Sequence, residues 1–202
     1  MIRAFLFDYD GVITRGVPDG TLVKRLTQNL HISNVQAAEW IGAIWTPFVT
    51  GKMSEEAVWQ FIEEKYGKPI AVSQRDVWYR WAELTPLPEM IAFVRMLKSK
   101  GYPVGVVSNA TAPTKEEVRK NGGYDEFDFA ILSCETGYKK PDPQIFQIAL
   151  ERLPGLTTSE VLFLDDQERV LVGAKAFGFR TILVKDHAKA VREINDLLRI
   201  LV

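Results

Sequence analysis

Ile2-Arg3-Ala4-Phe5-Leu6-Phe7-Asp8-Tyr9-Asp10-Gly11-Val12 is the stretch on which the fold turns. A mostly apolar run, Ile2 to Phe7, ends in two carboxylates two residues apart, and a glycine follows. Like charges at that spacing repel, and one carboxylate tends to take up a proton unless a cation intervenes. The string also suits an ordinary turn, with Asp and Gly in turn positions. The rest of the chain decides between a turn and a site.

The same grammar recurs. Pro103–Val107 ends in Ser108-Asn109, Val161–Leu164 ends in Asp165-Asp166, Phe129–Leu132 ends in Ser133, and Thr181–Val184 ends in Lys185-Asp186. Continuous apolar runs of this length read as strands buried on both faces. Helical patterns separate them: Glu89–Lys100, Thr114–Lys120, Pro143–Leu153, Gln167–Phe177 and His187–Leu201. Alternating strands and helices predict an α/β fold, a Rossmann-like three-layer core with a parallel sheet.

Residues 15–85 break the alternation. Four helical patterns follow one another there: Thr21–Leu30, Val35–Trp45, Ser54–Tyr66 and Ser73–Leu84. Ser54 and Ser73 stand where N-caps would. Pro86 and Pro88 mark the return to the alternating region. The expected organisation is a core of residues 1–14 and 86–202 with an inserted α-helical cap domain, 15–85. All five tryptophans, Trp40, Trp45, Trp59, Trp78 and Trp81, fall in the insert, where they would pack a small helical core.

Charges nearly cancel, 25 Lys+Arg against 26 Asp+Glu. This excludes the strongly basic balance that nucleic acid or an anionic membrane would call for, so neither is an expected partner. No stretch approaches the roughly 20 apolar residues of a membrane span. The opening residues run too soon into Asp8 to form a signal peptide. The single cysteine, Cys134, allows no intrachain disulfide and fits a reducing, cytoplasmic setting. His31 and His187 belong to no ligand cluster.

Ligands of an open parallel sheet bind outside the carboxyl ends of its strands. The polar residues at those ends are Asp8, Asp10, Ser108, Asn109, Asp165 and Asp166. Four carboxylates at one edge are tolerable around a cation, and oxygen-only ligands favour Mg²⁺, which also binds a substrate phosphate. The lack of a His/Cys cluster argues against zinc. One carboxylate free of the metal can attack phosphorus, and a second can protonate the leaving oxygen and then activate water. Ser108 can hold a phosphate oxygen. Gly137-Tyr138-Lys139-Lys140-Pro141-Asp142-Pro143 offers a neutralising lysine just before a helix.

This set resembles the haloacid dehalogenase superfamily of phosphohydrolases over nearly the whole chain. The matching segments, in order, are Asp8-Tyr9-Asp10-Gly11-Val12, Ser108-Asn109 after Val104–Val107, Lys140 within Tyr138–Pro143, and Phe163-Leu164-Asp165-Asp166 with the later Gly173-Ala174 and Gly178. The insert is similar to the small α-helical cap of the subfamily that carries it between the first and second motifs. The resemblance implies that Asp8 is the nucleophile. Asp10 would be the general acid/base, with its backbone carbonyl on Mg²⁺. Ser108, Asn109 and Lys140 would surround the phosphoryl group, and Asp166 and Asp165, the latter directly or through water, would hold the metal. Val170 stands where an asparagine is often found, so support around the metal loop would pass to Gln167 or Glu168. The implied activity is Mg²⁺-dependent hydrolysis of a small phosphorylated metabolite by a monomer or homodimer. A phosphosugar mutase, a 2-haloacid dehalogenase and a non-catalytic binding protein remain as alternatives. Asp10 speaks against the dehalogenase, since halide release needs no proton.

Overall fold

The alternation of side chains along one strand sets the layers. In β1 (Ala4–Phe7) all four residues are buried. Phe5 and Phe7 point to one face of the sheet, where α5 (Pro88–Ser99) and α10 (His187–Arg199) bury Met90, Phe93, Leu97 and Ile194 against them. Ala4 and Leu6 point to the other face, beneath Ile145 and Phe146 of α8 (Pro143–Glu151) and Val170 and Ala174 of α9 (Glu168–Phe177). A strand covered on both sides has no polar face, which is why β1 reads as a continuous apolar run.

The computed structural model describes residues 1–199. The remaining strands are β2 (Val104–Ser108), β3 (Phe129–Leu132), β4 (Val161–Asp165) and β5 (Arg180–Leu183). All pair in parallel in the order β3-β2-β1-β4-β5. β1 thus lies between β2 and β4, and the ends of these three strands meet. The core helices are completed by α6 (Ala112–Lys120), which follows β2, and the short α7 (Ser133–Thr136), which follows β3. The α6 helix begins at Ala112 rather than Thr114, because Thr111 caps it and Pro113 fits the first turn. The expected last helix is found as α10, and its end at Leu201 lies outside the described residues. Among the described residues, no helix is long and apolar enough to cross a membrane.

Between β1 and α5 run α1 (Thr21–Leu30), α2 (Asn34–Val49), α3 (Glu55–Tyr66) and the short α4 (Trp81–Leu84). Their cluster of buried side chains includes Leu26, Trp40, Phe48, Trp59, Ile62 and Trp78. Ser54 caps α3 through the Ala57 N–H, and Gly67 closes it. Glu55 accepts from the indole N–H of Trp78 at 2.7 Å, so that ring is buried with its polar edge satisfied. Trp81 and Leu84 pack instead with the sheet-side cluster.

The helix expected over Ser73–Leu84 is absent. A single 3₁₀ turn spans Val72–Gln74, and α4 begins only at Trp81. The carbonyls in between are taken by α1 side chains. Asn29 Nδ2 donates to Gln74 and Asp76 oxygens at 3.0 and 3.2 Å, and Arg25 donates to the Trp78 oxygen at 2.7 Å. Backbone acceptors satisfied from a neighbouring helix have no need of a helix of their own.

Candidate active site

Each site element is a strand end or the loop that follows it. The Asp8 N–H still pairs with the Leu164 carbonyl of β4 at 2.8 Å, so Asp8 leaves the sheet with its strand geometry intact. Tyr9 turns into the core. Its hydroxyl donates to the Leu84 carbonyl at 3.0 Å, and its ring meets Tyr124 edge-on at 5.1 Å. Asp8 and Asp10 are left on the opposite side. The chain turns at Gly11, where φ is +82° and a Cβ would lie 2.6 Å from Asp166 Oδ2. Only glycine allows both that backbone conformation and the approach of the β4 loop.

Lys140 is the centre of the site. It is 1% exposed, and its Nζ lies 2.8 Å from Asp8 Oδ1 and 2.7 Å from Asp165 Oδ2. Burial opposes its charge, but Asp8 and Asp165 outweigh burial and hold its pKa above the ordinary lysine value. Asn109 fixes the loop, accepting from the Lys140 N–H at 2.7 Å and donating to the Lys140 carbonyl at 3.1 Å. From the other side, α9 closes on Pro141. A Cβ at Gly173 would lie 3.0 Å from the Pro141 carbonyl and closer still to its ring, so only glycine lets the helix press on this loop.

The carboxylates differ in their surroundings. Asp8 Oδ1 also accepts from the Tyr9 N–H at 2.7 Å. Burial raises the Asp8 pKa, Lys140 pulls it down, and Asp165 and Asp166 push it up again. Asp165 is fully buried, with Oδ1 accepting from the Gln167 N–H at 2.8 Å and Oδ2 from Lys140. Asp166 has a buried oxygen, Oδ1, with no hydrogen-bond partner. Its pKa is raised by burial and by Asp165, against Lys140 and Lys185. Asp8, Asp165 and Asp166 offer oxygens that all lie within 4.8 Å of one another. A buried carboxylate oxygen without a donor, beside two more carboxylates, is the environment that a hard divalent cation satisfies.

The Asp10 carboxylate lies outside that group of three. It accepts from Thr14 Oγ1 at 3.0 Å, and the Val17 backbone N–H lies near enough to favour its charged form. Burial raises its pKa more than these two groups lower it. Thr14, fully buried, also accepts from the N–H groups of Gly11 and Gly16 at 3.3 and 3.1 Å. Sequence reasoning passed over Thr14; a hydroxyl four residues after Asp10, across a glycine turn, was the available signal. Ser108 closes β2 and is buried beside this edge. Val170 lies in the core under β1 rather than at the site, and the backbone N–H of Gln167 supports Asp165 instead. The Gln167 side chain turns away to accept from Arg169 at 3.0 Å.

A family model of the haloacid dehalogenase-like hydrolases matches residues 2–178. The chain belongs to this family. It is 31% identical over 218 residues to acyl-CoA dehydrogenase family member 10 of Mus musculus, a match covering 97% of this chain and 19% of that protein. It therefore spans about a fifth of that relative's length. A sesquiterpene phosphatase of Aspergillus oryzae is 24% identical over 205 residues, covering 97% of this chain and 96% of its own. Among solved structures, a haloacid dehalogenase family enzyme of Bacteroides thetaiotaomicron in a magnesium complex superposes with a TM-score of 0.77 at 25% identity. That match covers 91% of this chain and 93% of the other.

Proposed function

We propose that this hydrolase is a Mg²⁺-dependent phosphatase that releases phosphate from a small phosphorylated metabolite through a phosphoaspartate on Asp8. The observation that carries the reading is Lys140, a buried ammonium 2.8 Å from Asp8, next to the unpartnered buried oxygen of Asp166. An ammonium has three N–H donors. Two go to Asp8 and Asp165, and the third is available to a phosphoryl oxygen. The magnesium complex of the Bacteroides enzyme and the phosphatase activity in the Aspergillus relative's name support the same reading.

The Asp8 carboxylate attacks phosphorus, and the bond from phosphorus to the leaving oxygen breaks. Asp10 gives its proton to that oxygen, and burial, which raises its pKa, favours the protonated form. As a carboxylate, Asp10 then takes a proton from water, whose oxygen attacks phosphorus and restores Asp8. Lys140 and Ser108 hold the phosphoryl oxygens, and Asn109 contributes by fixing Lys140. Asp8 and Asp166, with the Asp10 carbonyl, would hold the cation, and Asp165 anchors Lys140 beside them. When bound, Mg²⁺ supplies positive charge that offsets repulsion between the phosphate and Asp8. Residues 15–85 would serve as a cap over a core of 1–14 and 86–202, shielding the site from water.

The test is phosphate release across a panel of phosphate monoesters, with 2-chloropropionate as a haloacid control. EDTA should stop release and Mg²⁺ restore it. Chloride release that persists in EDTA would instead give the dehalogenase reading.

A further inference from the structure

Helix α2 carries more apolar surface than the insert buries. Ala37, Trp40, Ile44 and Phe48 face the insert core. Yet the run Trp40-Ile-Gly-Ala-Ile-Trp45 is apolar throughout, and Ile41 and Trp45, only partly buried against that same cluster, border a cavity of about 390 Å³. Leu22 and Val23 of α1, Val17 and Tyr79 close other sides. A helix that is apolar around its circumference needs something to cover both faces.

None of the site's own side chains lines the cavity, but three of its walls border the candidate active site. Val17, one of its walls, has a backbone N–H near enough to the Asp10 carboxylate to favour its charged form. Tyr79, another, is near enough to Asp10 to feel its charge. Thr46, a third, accepts from Lys139, the neighbour of Lys140, at 3.0 Å. Gly42 sits mid-helix on the lining, and a Cβ there would meet nothing within 4 Å. Glycine inside a helix is about 1 kcal/mol less favourable than alanine, and no neighbour of Gly42 requires it; the position is exposed at the edge of the cavity. The lining includes no lysine or arginine, and its one charged side chain is Asp19. Arg25, nearby on α1, is held by the Val77 and Trp78 carbonyls and by Glu83.

We infer that this cavity receives the organic half of the substrate, and that the substrate is a phosphate monoester with an uncharged, apolar alkyl or aryl group. The inference rests on the phosphatase reading and narrows it. An anionic body, such as a second phosphate or a carboxylate, would meet Asp19 in the lining, and Lys139 beside it is already bonded to Thr46. The lining therefore favours an uncharged body over a bisphosphorylated sugar, the substrate of the mutase alternative. The volume lies within the usual range for a small organic ligand.

The experiment is a series of n-alkyl phosphates from ethyl to decyl, kept below micelle formation, with glycerol phosphate as a polar partner for propyl phosphate. kcat/KM should climb by up to about fourfold per added methylene until the cavity is full, the scale of burying a CH₂. Propyl phosphate should be preferred over glycerol phosphate. Gly42→Leu places a side chain in open space within a helix and should fold at least as well as the parent. It should stop the climb at a shorter chain and lower the octyl-to-ethyl ratio tenfold or more. A flat series, or an unchanged ratio in Gly42→Leu, overturns the inference while leaving the phosphatase reading standing. The matching alkyl phosphonates, which cannot be hydrolysed, are measured by calorimetry in parallel. If no phosphate is released from any ester, the phosphatase reading falls. The cavity is then judged by the phosphonates alone: affinity rising with chain length sustains it, and uniform affinity overturns it.

Discussion

The sheet edge and the helical insert touch at several points, among them Lys139 on Thr46 and Tyr9 on Leu84, and are made of opposite materials. On the sheet side, Asp8, Asp165 and Lys140 are buried charges within hydrogen-bond distance of one another. On the insert side, Ile41, Trp45, Leu22 and Val23 surround a cavity with a single charged side chain. A buried charge network is demanding in geometry, because removing any member leaves another uncompensated. An apolar wall is tolerant, because neighbouring shapes substitute for one another at small cost. On the proposed reading, the sheet side fixes what happens to phosphorus and the insert side chooses what phosphorus is attached to.

The sharpest way to break this division is at Asp8. Asp8→Asn should reduce phosphate release to background, a loss of at least about 10⁴-fold, the scale seen when a catalytic nucleophile is removed. The fold should survive, since the amide can still accept from Lys140 and the Tyr9 N–H, and circular dichroism checks that. Undiminished turnover would remove Asp8 from its assigned role. Asp10→Asn comes next, with turnover about 10²–10⁴-fold slower. Its effect should depend on the substrate, being smaller for para-nitrophenyl phosphate, whose leaving group needs little protonation. An equal loss for alkyl and nitrophenyl esters would count against Asp10 as the acid.

Lys140→Met asks whether the network is structural as well as chemical. Removing one member of a buried ion cluster typically destabilises by about 3–5 kcal/mol. The double variant Lys140→Met with Asp165→Asn should recover part of that loss, because one stranded charge is gone. Urea midpoints of the double variant and of both single variants, Lys140→Met and Asp165→Asn, decide it; an additive loss would mean that the two groups do not share a network.

Much of the sheet side was legible in the sequence, and the reason is local. Strands buried on both faces are continuous apolar runs, so β3 lies where Phe129–Leu132 was read and the other four within two residues. Their polar endings Asp8, Ser108 and Asp165 follow from the strands, and the parallel order brings them together. Lys140 was readable as a lysine before a helix, but its 1% exposure was not, because Asn109 and Gly173 fix it from distant segments. Thr14 escaped for a similar reason, since its role depends on the turn at Gly11. In the insert, α1 was read to its ends, whereas the helix expected over Ser73–Leu84 was displaced by hydrogen bonds from Arg25 and Asn29. The cavity depends on how α1 meets α2, which no periodicity within either helix records.

That displaced segment offers the gentlest way to sharpen the comparison. Arg25 donates to the Val77 and Trp78 carbonyls and pairs with Glu83, so one side chain ties α1 to the stretch leading into α4. Arg25→Met keeps the apolar stem and removes the donors. Leaving half-buried carbonyls without their partner should cost about 1–3 kcal/mol. If the insert is stabilised by its own cluster of Leu26, Trp40, Phe48 and Trp59, this loss stays local. Amide exchange should then quicken across residues 74–84 and α1, while β1, β2 and β4 keep their protection. Uniform acceleration across the sheet would show that insert and sheet open as one unit. The Tyr9 hydroxyl on the Leu84 carbonyl, 3.0 Å away, would then be one connection that transmits the opening to the loop between Asp8 and Asp10.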